Sequence, residues 1–152
     1  MIAVVGTGAD DPYLETLAFD VGRLIAEAGC TVVCGGLGGV MLGACRGAKA
    51  AGGHTIGILP GPARTEANPY VDDAVATGMG EARNAVVVRT ADAVIAVGGG
   101  YGTLSEIALA LRAGRRVVGL ETWEASVGGV PAGVVRVSTP EQAVRAALPA
   151  RA

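Results

Sequence analysis

Three times in this chain a short run of β-branched and small apolar residues ends in a glycine-rich turn that opens into a helical pattern. Ile2 to Val5 leads into Gly6-Thr7-Gly8, Cys30 to Cys34 into Gly35-Gly36-Leu37-Gly38-Gly39, and Ala93 to Val97 into Gly98-Gly99-Gly100-Tyr101-Gly102. Strands that alternate with helices require right-handed crossovers, and these produce a parallel sheet covered on both faces. The three exits then gather along the carboxyl edge of that sheet, where open α/β folds take their ligands.

The remaining punctuation fits the same scheme. A helix is expected over Asp11 to Ala28, with Asp10 or Asp11 as cap, Pro12 early and Gly29 as stop. Further helices are expected over Val40 to Ala51, Gly80 to Arg89, Thr103 to Ala113 and Pro140 to Leu148, the last capped by Thr139. Strands are expected over His54 to Leu59, Arg116 to Leu120 and Val134 to Val137, with Ala63 to Asp73 as the only long irregular segment. The prediction is one Rossmann-like, three-layer α/β/α domain over residues 1–150, its mostly parallel sheet holding about six or seven strands. The Arg151-Ala152 end is expected to fray.

Composition narrows the function classes. The formal net charge is −2 and Lys49 is the only lysine, so an extended nucleic-acid groove has little to work with. A pocket for one small anion needs only a few backbone N–H groups and one arginine. Cys30, Cys34 and Cys45 lack CxxC spacing and read as small core thiols in a reducing, cytoplasmic compartment, the first two on one face of a strand. With His54 the only histidine, a protein-built zinc site is not expected. No signal-peptide pattern opens the chain, and every apolar run breaks well before the ~18 residues of a membrane span.

The third exit carries the strongest chemical signal, because Thr103-Leu104-Ser105-Glu106 follows it where the next helix must begin. Glycine lets the backbone approach a ligand, and unpaired N–H groups at a helix start favour an anion. Two readings of Thr103 and Glu106 stand side by side. In one they form a capping box. In the other the Thr103 hydroxyl and the loop amides hold a phosphate, and Glu106 turns its carboxylate toward the attached group. Arg83, in Gly80-Glu81-Ala82-Arg83-Asn84, has a similar pair of readings. It is either solvated or paired with Glu81, or it reaches an anion in the cleft.

The runs Gly35-Gly36-Leu37-Gly38-Gly39-Val40-Met41, Ile56-Gly57-Ile58-Leu59-Pro60-Gly61 and Gly98 through Glu106 resemble the LOG-like superfamily, long misnamed lysine decarboxylases. The likeness covers roughly residues 1 to 125. Its best-known members are phosphoribohydrolases that cut cytokinin riboside 5'-monophosphates into free base and ribose 5-phosphate, with the signature PGGxGTxxE and an upstream Arg-Lys pair. The resemblance implies a phosphate loop of Gly99, Gly100, Tyr101, Gly102 and Thr103, with Glu106 and Arg83 as catalytic residues. The shared carboxyl edge of the three glycine exits makes Gly6, Thr7, Gly8, Gly35, Gly36, Gly38 and Gly39 further expected cleft positions, with Met79 and Asn84 beside Arg83. Gly98 stands where the signature has Pro, and Asn84 where the hydrolases have Lys.

The stretch Thr77 to Asn84 resembles in particular a short, single-domain branch that includes molybdenum-cofactor carrier proteins, which bind rather than cleave. The implied function is binding of a phosphorylated nucleotide-like or pterin-like molecule. Either the N-glycosidic bond of a nucleoside 5'-monophosphate is hydrolysed, or a molybdopterin-type cofactor is held as cargo. Neither outcome requires a metal or a resident cofactor. A likeness to DNA-processing proteins is a third route, which the acidic charge balance disfavours. Lysine decarboxylation is not expected, since pyridoxal phosphate needs a Schiff-base lysine and Lys49 lies far from its glycine loop. The helix over Thr103 to Ala113 carries Leu104, Ile107, Ala108, Leu109 and Leu111 around much of its circumference, which together with the superfamily's habit predicts a homo-oligomer, a dimer or tetramer.

Overall fold

The computed structural model describes residues 1–149. Its elements, in chain order, are β1 (Ile2–Gly6), α1 (Pro12–Glu27), β2 (Val32–Cys34), α2 (Val40–Ala50), β3 (Thr55–Leu59), β4 (Asp73–Ala76) and α3 (Arg83–Thr90). They continue with β5 (Ala93–Val97), α4 (Tyr101–Arg112), β6 (Arg116–Leu120), β7 (Ser126–Val127), β8 (Val130–Pro131), β9 (Val135–Val137) and α5 (Pro140–Ala147). Seven strands form one parallel sheet in the order β4-β3-β2-β1-β5-β6-β9, the three-layer Rossmann-like arrangement expected from the sequence. The chain winds outward from β1 in one direction, then restarts beside it with β5 and winds in the other. That reversal leaves a crevice at the carboxyl ends of β1 and β5.

Both central strands are buried on both faces, which is why they read as continuous apolar runs rather than as an alternation. Ile2, Val4, Ile95 and Val97 pack toward α1, α2 and α5. Ala3, Val5, Val94 and Ala96 pack on the other side with Val87 and Val88 of α3 and Ile107 and Ala110 of α4. Helices α1 and α2 meet backbone to backbone, since a Cβ at Gly22 would collide with the Ala44 carbonyl and one at Gly47 with that of Phe19. The caps are those the sequence names. The Asp11 carboxylate accepts from the Leu14 N–H at 3.1 Å, and the Thr139 hydroxyl from the Gln142 N–H at 3.2 Å.

Several expectations are corrected. Strand β2 starts at Val32, so Cys30 precedes it; Cys30 packs beside the α1 core, whereas Cys34 lies against Cys45 and Met41. The two cysteines do not share a face. The segment after Ala63 ends in an edge strand, β4, which the sequence hides because Asp73-Ala74-Val75-Ala76 is short and poor in β-formers. A second long connection, residues 121–134, carries the β7–β8 hairpin around Gly128 and Gly129, both at positive φ as a two-residue hairpin turn requires. Arg151 and Ala152, expected to fray, lie outside the described residues. Among the described residues no helix is long and apolar enough to cross a membrane.

Candidate functional site

The crevice between β1 and β5 holds a cavity of about 440 Å³, within the range of small-molecule sites. Its floor is backbone: Gly6, Thr7 and Gly8 leaving β1, and Gly100, Gly102 and Thr103 leaving β5. Arg83 and Asn84 enter from the start of α3 and Glu106 from α4. Leu37, Met41 and Pro60 supply an apolar side, and Glu81 a second carboxylate.

Helix α4 begins at Tyr101, two residues earlier than expected, with Gly100 as N-cap and no side-chain cap bond. Thr103 is therefore inside the first turn, and the capping-box reading of Thr103 and Glu106 falls. Both side chains are instead buried and line the cavity. The chain enters α4 through Gly98 and Gly99, at φ +55° and +116°. Proline, locked near φ −65°, has no such conformation, so the loop follows a path that the superfamily's Pro would not allow. Among the described residues, the amides of Gly99, Gly100, Tyr101, Gly102 and Thr103 find no acceptor. Such amides at the start of a twelve-residue helix favour an anion.

Arg83 is only 8% exposed, which removes the solvated reading, and no ion pair joins it to Glu81 among the described residues. One guanidinium nitrogen donates to the Ile58 carbonyl at 3.0 Å, while Nε is buried without a partner. Gly35 makes room for this side chain, because a Cβ there would overlap the guanidinium. Burial pushes the Glu106 carboxyl up to about 7, against the pull of the Arg83 charge. Burial likewise lowers the Arg83 value, opposed by Glu106. For both groups desolvation outweighs their mutual attraction, so near neutral pH Glu106 exchanges a proton readily and can donate or accept a hydrogen bond.

Of the residues the sequence nominates, Gly6, Thr7, Gly8, Arg83, Asn84, Gly100, Gly102, Thr103 and Glu106 come together around the cavity. Gly35 and Gly99 act one layer back, against Arg83 and against the Thr103 side chain. Gly36 packs under Leu59, and Gly38 and Gly39 close on the backbone that leaves β1. Tyr101 turns outward, 83% exposed, with its ring centroid 5.7 Å from that of Trp123, and Met79 is also exposed. Lys49 binds Asp72 at 2.8 Å and is not part of the cavity lining. Leu37, Met41, Pro60, Gly80 and Glu81 also line the cavity and are not among the residues the sequence nominates. The first two are apolar residues of the second glycine exit and of the first turn of α2 behind it, and that position is the signal that points to them.

The family model for the SLOG cluster4 family matches residues 1–144. The chain belongs to that family. An Archaeoglobus fulgidus protein is 46% identical to this SLOG chain over 143 residues, which cover 94% of this chain and 91% of the relative. The cytokinin riboside 5'-monophosphate phosphoribohydrolase LOG of Oryza sativa is 37% identical over 97 residues, 61% of this chain but only 40% of that enzyme. Among solved structures, the molybdenum cofactor binding protein of Rippkaea orientalis superposes with a TM-score of 0.87 at 38% identity, covering 95% of this chain and 92% of that one. The molybdenum cofactor carrier protein of Chlamydomonas reinhardtii gives 0.84 at 35% identity, covering 95% and 93%. DNA processing protein A of Streptococcus pneumoniae shares the fold alone, at 20% identity and a TM-score of 0.76.

Proposed function

We propose that this SLOG protein binds a small phosphorylated molecule of nucleotide or pterin size, with the phosphate on the Gly99–Thr103 amides and the rest of the molecule against Arg83, Asn84 and Glu106. The observation that carries this reading is the run of unpaired amides at the α4 N-terminus, beside a cavity that Gly100, Gly102 and Thr103 line and whose only lining cation among the described residues is Arg83. One phosphate monoester suits that balance. A chain of phosphates meets too little positive charge, since Glu81 and Glu106 share the lining.

Carriage of a molybdopterin-type cofactor without bond breaking is the first reading. It is supported by likenesses to cofactor-binding and carrier proteins that run across 95% of this chain, by Gly98 in place of Pro, and by Asn84 in place of the hydrolases' Lys. The second reading is hydrolysis of a nucleoside 5'-monophosphate at its N-glycosidic bond, favoured by one observation, the buried Glu106 carboxyl near neutral pKa beside Arg83. In that reaction Glu106 stabilises the oxocarbenium-like transition state or orients the water, and Arg83 holds the phosphate or helps the base depart.

Incubation of the purified protein with purine nucleoside 5'-monophosphates separates the two. Release of free base that is abolished by Glu106→Ala establishes the hydrolase. No release from any nucleotide, with retention of a pterin on gel filtration, establishes the carrier. We also propose a homo-oligomer formed through α4, where Leu104, Leu109 and Leu111 are half-buried and Ala108 exposed in the single chain. Light scattering at micromolar concentration tests it, and a monomer refutes it.

A further inference from the structure

The connection leaving β6 reaches back onto the glycine loop. Glu121 is the one non-glycine among the described residues at positive φ, +53°, and this turn redirects the chain so that the next two side chains face the loop. The Thr122 hydroxyl donates to the Gly98 carbonyl, and the Trp123 Nε1–H donates to the Gly100 carbonyl at 3.0 Å. The Gly98 N–H in turn donates to the Leu120 carbonyl at 3.0 Å, so one backbone group of Gly98 is tied to the last residue of β6 and the other to the connection that follows it. The Gly100 carbonyl also accepts the Leu104 N–H at 3.1 Å, the first bond of α4, which leaves it fully occupied. The Trp123 ring lies against Tyr101 on the outer side of the loop. A residue in left-handed backbone is uncommon outside glycine and clusters at functional sites.

In a planar trans peptide the C=O and the following N–H point in opposite directions. Fixing the Gly98 carbonyl on Thr122 therefore turns the Gly99 amide the other way, and fixing the Gly100 carbonyl on Trp123 does the same for Tyr101. Neither Thr122 nor Trp123 lines the main cavity, so they act on the loop from behind. The glycines need such a restraint, because four of the five residues at 98–102 lack a side chain and resist peptide rotation only weakly.

We propose that Thr122 and Trp123 are positioning residues that hold two loop peptides with their amides toward the bound anion. The proposal rests on the reading of the loop as a phosphate site. It predicts that Thr122→Val, which keeps the shape of the side chain, and Trp123→Phe, which keeps an aromatic ring of smaller size, each remove the donor and each weaken binding of ribose 5-phosphate about five- to tenfold. Thr122→Ser restores the hydroxyl and is expected to bind within about twofold of the unmodified protein.

The test is a calorimetric titration with ribose 5-phosphate, run beside thermal unfolding and amide hydrogen exchange of residues 98–103. A positioning role is supported by weaker binding and faster loop exchange at unchanged midpoint, with rescue by Thr122→Ser. Unchanged affinity in both donor-less variants, with the unmodified protein binding normally, overturns the positioning role and leaves the phosphate site standing. Loss of binding that follows a fall in the unfolding midpoint, without rescue by Ser, also overturns it. An unmodified protein that takes up no ribose 5-phosphate at millimolar concentration overturns the phosphate site and the positioning role with it.

Discussion

Gly35 and Arg83 are fitted to each other: the Cα of the glycine faces the guanidinium so closely that a single methyl group between them would overlap it. The arginine is held there by its bond to the Ile58 carbonyl, with Nε left without a partner. Gly35 is in this sense part of the site although no ligand need touch it. Gly35→Ala is expected to push Arg83 off this position and to weaken ribose 5-phosphate binding at least about tenfold, with a loss of roughly 1–3 kcal/mol in stability from overpacking. Calorimetric titration and denaturant unfolding read the two effects separately. Full affinity in this variant would show that the anion does not depend on Arg83.

Glu106 makes folding depend on pH. Its carboxyl is raised by burial from an ordinary 4.5 to about 7, so between those values the native state holds a proton that the unfolded chain gives up. Stability from this group is fully present below about pH 4.5 and is lost as pH rises through 7. The shift corresponds to about 3 kcal/mol at most. Glu106→Gln removes the dependence, and the variant is expected to unfold at a higher denaturant concentration than the unmodified protein at pH 8, with the difference shrinking toward pH 5. Parallel pH profiles for the two proteins would contradict this.

At Gly98 the backbone sits at φ +55° and a Cβ would meet the Leu14 side chain. Gly98→Pro, the residue of the hydrolase signature, is expected to lose roughly 2 kcal/mol or more of stability and to misplace the amides behind it. Thermal unfolding and a phosphate titration check this. A stable variant with full affinity would mean that the loop adopts the superfamily's path after all.

The sheet was legible because β1 and β5 are buried on both faces, and near-continuous Val, Ile and Ala runs that end in glycine have few other structures available. Cap chemistry was legible at Asp11 and Thr139 for a local reason, since each side chain bonds an amide three residues away. Strand β4 was not, because an edge strand is held by pairing with β3 rather than by its own composition.

At the site, glycine spacing led to the amides of α4, and resemblance led to Arg83 and Glu106. The roles of Thr122 and Trp123 were hidden, since they depend on β6 lying next to β5, which no local pattern encodes. The sole tryptophan of a chain only 3% aromatic, placed just past a strand exit, was the available hint.

If the Gly99–Thr103 amides hold the phosphate of a small ligand, their own resonances must respond to it. Amide-detected NMR of the 15N-labelled protein, titrated with ribose 5-phosphate, reads that response residue by residue. Saturable shifts are expected to concentrate on Gly99, Gly100, Tyr101, Gly102 and Thr103, accompanied by the Arg83 Nε–H and by the Trp123 indole N–H that abuts the loop. Saturable shifts confined to another part of the sheet, or no saturation at millimolar ligand, would contradict that placement of the phosphate.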